Sequence, residues 1–313
     1  MLPYIGRRLL ATLPVMTVVA VVVFLLLRLT TGDPAAIIAG DNATSQDVAA
    51  IRSKLGLDRP IVQQFGIWIG SVLRGDLGES FFFKKQVSEL IAERVEPTLA
   101  LATCTLLLAV TLAVPLGVLA AWRRGTWIDR AVMGLSVLGF SVPVFVIGYV
   151  LIYLVAIQLG WLPVQGYQRL ADGFGGFIQR LILPSIALAI IYVALIARIT
   201  RTSVLEVLNA DHVRTARAKG LGDLTVLFRH VLRNAAVPIV TVIGLGVALL
   251  IGGVVVTESV FSIPGLGRLT VDAVLARDYP TVQAVILLFS VVYVLINLVV
   301  DLSYTFLDPR IRY

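Results

Sequence analysis

Apolar residues along this chain gather into six runs, at about residues 9–29, 98–121, 131–157, 181–203, 235–257 and 281–304. A helix that spans a bilayer needs about 20 mostly apolar residues. Lipid leaves each backbone N–H and C=O to be paired within its own segment, so helix is the form predicted for all six. The polar stretches between them are unequal. The one after the first run is long, and it predicts a helix over 45–54 with Ser45 as its cap, closed by Leu55-Gly-Leu57. Ile61, Phe65, Trp68, Ile69, Val72 and Leu73 then recur at helical spacing and stop at Gly75. That amphipathic stretch either lies along the membrane interface, where Trp is favoured, or packs on neighbouring spans. Between the fourth and fifth runs stands the basic segment Asp211-His-Val-Arg-Thr-Ala-Arg-Ala-Lys-Gly-Leu221. Residues 205–220 contain no proline and end in Gly, which predicts a single helix there.

Composition agrees with a lipid environment. The chain is 58% hydrophobic and 14% charged, with a mean hydropathy of +0.94, more apolar surface than a soluble fold of 313 residues could hide. The first run exceeds the usual length of a signal-peptide core, and no small-x-small site precedes Gly32-Asp33-Pro34, so it is expected to stay as a span. With a cytoplasmic N-terminus, the inner side holds Arg7, Arg8, Arg123, Arg124, Arg130, Arg198, Arg201, Arg214, Arg217, Lys219, Arg229, Arg233, Arg310 and Arg312. The two short outer loops hold Arg169, Arg180, Arg268 and Arg277, while the long outer segment over about 30–97 holds seven more and Arg28 sits at the first span's outer edge. Long loops are weak topology signals, so the short ones are compared. This asymmetry sets both termini in the cytoplasm and accounts for most of the +7 net charge. It leaves no contiguous basic surface for nucleic acid. Cys104 has no partner in the chain and reads as a small buried apolar residue. His212, His230 and Cys104 lack ligand-like spacing, so no metal site is expected.

The six apolar cores have no ionisable residue near their middles, which disfavours a proton-driven carrier. No Gly-x-x-x-x-Gly-Lys-Ser/Thr loop is present, so energy for active transport would come from another subunit. Ser141, Gln158, Asn297 and Asp301 are the candidate polar groups of a translocation path, and each can equally serve as a helix–helix hydrogen-bond contact. In the basic segment, Asp211 can pair with Arg214 or Thr215 on a helix surface, and Lys219 falls in the last turn, where the helix dipole favours it. On the residues alone two readings stand: a solvated loop whose charges set topology or meet anionic lipid, or a contact for a soluble partner.

The segment resembles the coupling motif of ATP-binding-cassette importer permeases, Glu-Ala-Ala-x-x-x-Gly, with Arg214-Thr-Ala216 and Gly220 on that pattern. Arg in place of Glu resembles the dipeptide, oligopeptide and nickel branch. The departure is His212 where that branch has Tyr, read as a packing residue in an aromatic slot rather than a pH switch. Further landmarks of the resemblance run the length of the chain. They include Arg7-Arg8-Leu9, Gly32-Asp33-Pro34, Leu55-Gly-Leu-Asp58, Gly75-Asp-Leu-Gly78, His230-Val-Leu-Arg-Asn234, Glu258, Pro264-Gly-Leu-Gly267, Arg277-Asp-Tyr-Pro280, Asn297-Leu-Val-Val-Asp301 and Leu307-Asp-Pro-Arg-Ile-Arg-Tyr313.

The resemblance implies an all-α fold of six transmembrane helices of the type I importer permease kind in a bacterial inner membrane. Asp211, Val213, Arg214, Thr215, Ala216, Arg217, Ala218, Lys219, Gly220 and Leu221 would dock in a cytoplasmic ATPase. Pro264, Gly265, Leu266 and Gly267 would form a turn reaching toward an extracytoplasmic substrate-binding protein, or an ordinary tight turn. The implied partners are a second homologous permease, two ATPases and that binding protein, all around membrane lipid. No cofactor is expected on this chain, and ATP and Mg belong to the ATPases. The implied divisions are 1–30, a first span; 31–97, a structured extracytoplasmic segment; 98–306, a five-helix core with coupling segment 204–234; and 307–313, a cytoplasmic tail. The implied cargo is a di- or oligopeptide, with nickel, glutathione or another small solute as the alternative. A self-sufficient carrier or channel is the reading from a different class, and a membrane scaffold would call for a larger soluble domain.

Overall fold

Proline and glycine decide where the apolar runs become separate helices. The computed structural model describes residues 2–29, 35–36, 44–54 and 56–307, so Gly32-Asp33-Pro34, Leu55 and 308–313 lie outside the described residues. The helices are α1 Leu2–Leu29, α2 Ser45–Lys54, α3 Ile61–Leu73, α4 Val87–Trp122, α5 Trp127–Ser141, α6 Val144–Gln158 and α7 Phe174–Leu208. After these come α8 Asp211–Ala218, α9 Asp223–Val260, α10 Leu266–Leu275 and α11 Tyr279–Leu307. No strand forms among the described residues, where an isolated bridge joins Glu79 to Gln86. The sequence pattern places α2 and α3 at their observed bounds, with Ser45 the first helical residue. It places the second run too late, because α4 begins at Val87.

Four helices among the described residues are long and apolar enough to cross a membrane: α4, α7, α9 and Tyr279–Ser303 of α11. The third apolar run departs from expectation. It is not one helix but α5 and α6, bent by 101° at a short break, and it makes a fifth candidate only if the pair counts as one span. Pro143 explains the bend. A proline lacks the N–H of the helical ladder and drives the residue before it out of the helical region. Val142 is accordingly extended (φ −100°, ψ 124°), and α6 starts on the far side of Pro143. The first run is helical throughout α1, with an apolar stretch of Leu10–Leu25.

By contacts the chain divides into two units. One comprises Met1–Val95 and Leu269–Val294. In it Phe24 of α1 meets Phe65 edge-on at 5.2 Å and Trp68 at 5.5 Å, and Trp68, Ile69 and Val72 pack on Ala20, Val23 and Leu287. This face of α3 therefore packs on α1, while Val62, Ile67 and Leu73 on its other flank are exposed. The buried carboxylate of Asp278 ties two loops of the same unit together. It accepts hydrogen bonds from the hydroxyls of Ser80 and Thr281 and from the Phe81 N–H.

The other unit comprises Glu96–Arg268 and Leu295–Tyr313. Its centre is α7, whose inner face, including Leu181, Leu188, Tyr192, Ile196 and Val204, is buried. Small residues let other helices approach it closely. Gly139 of α5 sits on Ile190 and Ala194, and Gly117 of α4 sits on the Ala197 carbonyl and Thr200. A Cβ at Gly117 would come within 2.6 Å of that carbonyl oxygen, where backbone cannot easily yield. Gly117→Ala is thus expected to lower stability by about 1–3 kcal/mol, read as a lower unfolding temperature in detergent. An unchanged temperature would argue against the close α4–α7 contact. Cys104 is half-buried against this unit's core.

Candidate coupling site

The basic segment does not continue α7. Asn209 ends that helix, its side-chain amide donating to the Leu205 carbonyl at 3.0 Å, and Ala210 is extended (φ −73°, ψ 147°). A new helix, α8, starts at Asp211, with the Val213 and Arg214 N–H groups donating to the Ala210 carbonyl. The single helix predicted over 205–220 is corrected to two helices joined by a two-residue turn, because Asn209 and Ala210 leave the helical ladder. The 204–234 stretch is likewise mostly helical, since α9 begins at Asp223 and is π-helical over Val226–Leu232.

Two side chains hold α8 in place. Val213 and Ala216, three apart and so on one face, are buried against Ala121, Val204, Val226, Leu227, Val231, Ala235 and Ile239. Asp211, His212, Arg214, Thr215, Arg217, Ala218, Lys219, Gly220 and Leu221 are exposed. His212, expected in a packed aromatic slot, is instead on the open face. Asp211 and Arg214 pair at 3.1 Å in full solvent, a contact that adds little stability. Thr215 bonds to Asp211 through the main-chain carbonyl at 3.0 Å, not through the carboxylate. The helix closes on Gly220, whose φ of +80° L side chains rarely adopt. Gly220 N–H donates to the Arg217 carbonyl at 2.9 Å and Leu221 N–H to the Ala216 carbonyl at 3.3 Å, the paired bonds of a Schellman stop. Asp211 in the first turn and Arg217 in the last both suit the helix dipole.

Just after α8 in the chain, at the start of α9, the structure exposes two apolar residues that carry no role in the sequence pattern. Leu224 is 70% exposed and Phe228 65% exposed. Their spacing of four, next to the basic segment, was the available signal.

The other candidates are dispersed. Ser141 ends α5, its hydroxyl donating to the Val137 carbonyl, and Gln158 ends α6; both are exposed. Asn297, exposed, and Asp301, half-buried, share one face of α11. The turn 264–267 does not reach outward as a whole. Pro264 is exposed, but Gly265, Leu266 and Gly267 are buried. They pack on Glu258, a residue whose role the sequence reading missed. Its carboxylate, fully buried, accepts from the Thr98 hydroxyl at 2.6 Å and the Arg268 N–H at 2.9 Å, while Thr98 Oγ1 accepts from the Leu266 N–H at 2.8 Å. The signal was a Glu at the end of an apolar run, followed by glycines small enough to admit it.

A bundle of apolar helices, four of them long and apolar enough to cross a membrane, with a short basic helix hung from the end of a central one defines the class, a helical membrane protein. The chain belongs to the family of binding-protein-dependent transport system inner membrane components, whose model matches residues 113–313. The model for the N-terminal part of such membrane components matches residues 1–102. A Sinorhizobium fredii protein named as a probable peptide ABC transporter permease is 56% identical over 310 residues, covering 99% of both chains. A glutathione transport system permease protein of Salmonella choleraesuis is 46% identical over 313 residues, covering 100% of both. Among solved structures, a chain of the inward-facing MetNI methionine ABC transporter matches with a TM-score of 0.58 and 19% identity, over 70% of this chain and 96% of that one. This likeness is one of fold. The protein is therefore an all-helical permease component of a bacterial inner membrane.

Proposed function

We propose that the chain forms half of the translocation pathway of an ATP-driven importer of di- or oligopeptides, with α8 as the helix through which a cytoplasmic ATPase moves it. The observation that carries this reading is the geometry of α8, with two buried anchors inward, its polar face outward, and a two-residue link to the central α7. A rigid helix so attached turns a push from a soluble partner into movement of the spans. In this reading the chain crosses the membrane six times, α1 first and the α5–α6 pair third, with both termini cytoplasmic, the orientation the Lys and Arg asymmetry favours. Residues 31–97 are the extracytoplasmic segment ahead of the 98–306 core, with α2 and α3 its helices among the described residues. A second homologous permease, two ATPases holding ATP and Mg, and an extracytoplasmic binding protein complete the assembly. Pro264, the exposed residue of its turn, belongs to the binding-protein side, and Ser141, Gln158, Asn297 and Asp301 to the path.

The peptide cargo follows from the relatives named for peptides, and the glutathione relative supports a second reading within the same chemistry, a small γ-linked peptide. Uptake of a labelled dipeptide, with unlabelled glutathione and nickel as competitors, measured in cells with and without the chain, tests the cargo. Dipeptide uptake that depends on the chain and resists both competitors is expected. Full transport by the chain alone in proteoliposomes would sink the ATP-driven reading in favour of a self-sufficient carrier.

The ATPase contact is expected to extend onto Leu224 and Phe228. Replacing both by Asp is expected to weaken ATPase association by at least about tenfold, since about 1.4 kcal/mol suffices for that factor. Co-purification with the tagged chain reads the effect, and wild-type recovery of the ATPases would exclude these two residues from the contact.

A further inference from the structure

The apolar cluster that seats α8 draws on α4, α7 and α9; none of its residues comes from α5 or α6. Yet α5 and α6 are bent by 101° at Val142-Pro143. Apolar packing joins α5 and α6 to α7 and α9 in a separate cluster, and the structure adds a directional polar link. Arg201, about two turns before the end of α7, grips Asp129 in the first turn of α5. Its Nε lies 2.5 Å from Asp129 Oδ1 and its Nη2 2.8 Å from Oδ2. The Asp129 side chain is only 7% exposed and that of Arg201 23%. The Gly125 N–H also donates to Asp129 Oδ2 at 2.9 Å, which fixes the carboxylate from the side of the preceding turn. A bidentate Arg–carboxylate pair defines orientation as well as distance.

The other end of α5 is held by α7 too, nearer that helix's middle. Arg198 lies over the Phe140 ring at 5.4 Å, and Gly139 rests on Ile190 and Ala194. So α5 is fastened near both ends to α7, the helix from which α8 hangs, and it leads directly into the bend.

We propose that Asp129 and Arg201 are positioning residues for transport, the pair that makes α5 follow the α7–α8 end and so carries ATPase-driven movement to the bend at Val142-Pro143. This rests on the coupling reading of α8 given above. Without the pair, α5 keeps its apolar seat on α7 at rest, but it slips when α7 is pushed, because apolar contact is not directional.

The test uses the whole complex, purified through this chain with its ATPases and placed in lipid nanodiscs. In a Cys104→Ala background, spin labels go on Gly134→Cys of α5, where a Cβ meets nothing within 4 Å, and on the exposed Glu206→Cys of α7. In the otherwise wild-type pair, one label–label distance is expected, the same without nucleotide and after vanadate trapping with ATP. With Asp129→Asn or Arg201→Met the resting distance is expected to stay, and the trapped distance to shift by about 2 Å or more, the scale of interhelical shifts in switching proteins. The double variant is expected to match the singles, since each breaks the same link.

Unchanged distances in both states would overturn the proposal. So would a shift already present at rest, which would make the pair merely structural, or effects that add in the double variant. The coupling reading fails separately. If Val213→Asp leaves the ATPases bound, both fall; if it releases them while Asp129→Asn changes no distance, only the inference about the pair falls.

Discussion

Val213→Asp is expected to release the ATPases and reduce transport by about 100-fold or more, a factor that needs only about 2.7 kcal/mol. Val213 is fully buried in the cluster formed with Val204, Val226, Val231 and Ile239. A carboxylate there would lie among apolar side chains, and an unpaired charge in such a place costs more than α8 can gain by folding. The helix has 8 residues, well below the length at which an isolated helix holds in water. Its fold is therefore lent to it by Val213 and Ala216, so expelling one of the two detaches the whole segment. The spans do not depend on it, so far-ultraviolet circular dichroism in detergent should remain helical. Co-purification of the ATPases and uptake in cells read the loss. Val213→Ile keeps the apolar character and should cost far less. Wild-type transport by Val213→Asp would mean that α8 is not held by its buried face, and the coupling reading would lose its main support.

How much of this was legible in the chain depends on how local the cause is. The bounds of α2 and α3 follow from helical spacing and from Pro60 and Gly75, all within one window of sequence. The identity of the basic segment was legible because its charges interrupt an apolar background. Its division into the end of α7 and a separate α8 was legible only in part: Asn209 is a residue that favours helix ends, but Ala210 beside it is a strong helix former. The bend at Pro143 was local and could have been predicted, but the long apolar run around it masked the proline's effect. The Asp129–Arg201 pair and the Glu258 cradle join residues 72 and 160 positions apart, and no periodicity in a single sequence reports such a pairing. For the turn 264–267 the sequence leaves open an arm toward a binding protein or an ordinary tight turn. Here the glycines serve close approach instead, and that is visible only once Glu258 is seen beside them.

That close approach makes the second large effect. Gly265→Val is expected to destabilise the fold by about 3 kcal/mol, the upper range for overpacking a tight site. A Cβ at Gly265 falls on the Glu258 carboxylate, and one at Gly267 falls on the Val255 backbone. The carboxylate cannot simply withdraw, because the Thr98 hydroxyl and the Arg268 N–H hold it, and Thr98 in turn holds the Leu266 N–H. Removing the acid instead, as Glu258→Ala, takes the acceptor from those donors and is expected to cost about 1–3 kcal/mol for each buried group left unsatisfied. The decisive measurement is the combination. If Gly265 is small only to admit Glu258, then Glu258→Ala makes room for a side chain at Gly265. The Glu258→Ala, Gly265→Ala double variant should then be more stable than the sum of the two single losses, by more than about 0.5 kcal/mol, beyond the scatter of independent sites. Unfolding temperatures of the four proteins in the same detergent supply the cycle. Strict additivity would mean that the two residues do not share the space, and the glycine would need another explanation. A positive coupling would establish that the turn is shaped around a buried acid, which fixes it as a rigid part of this unit rather than a free arm.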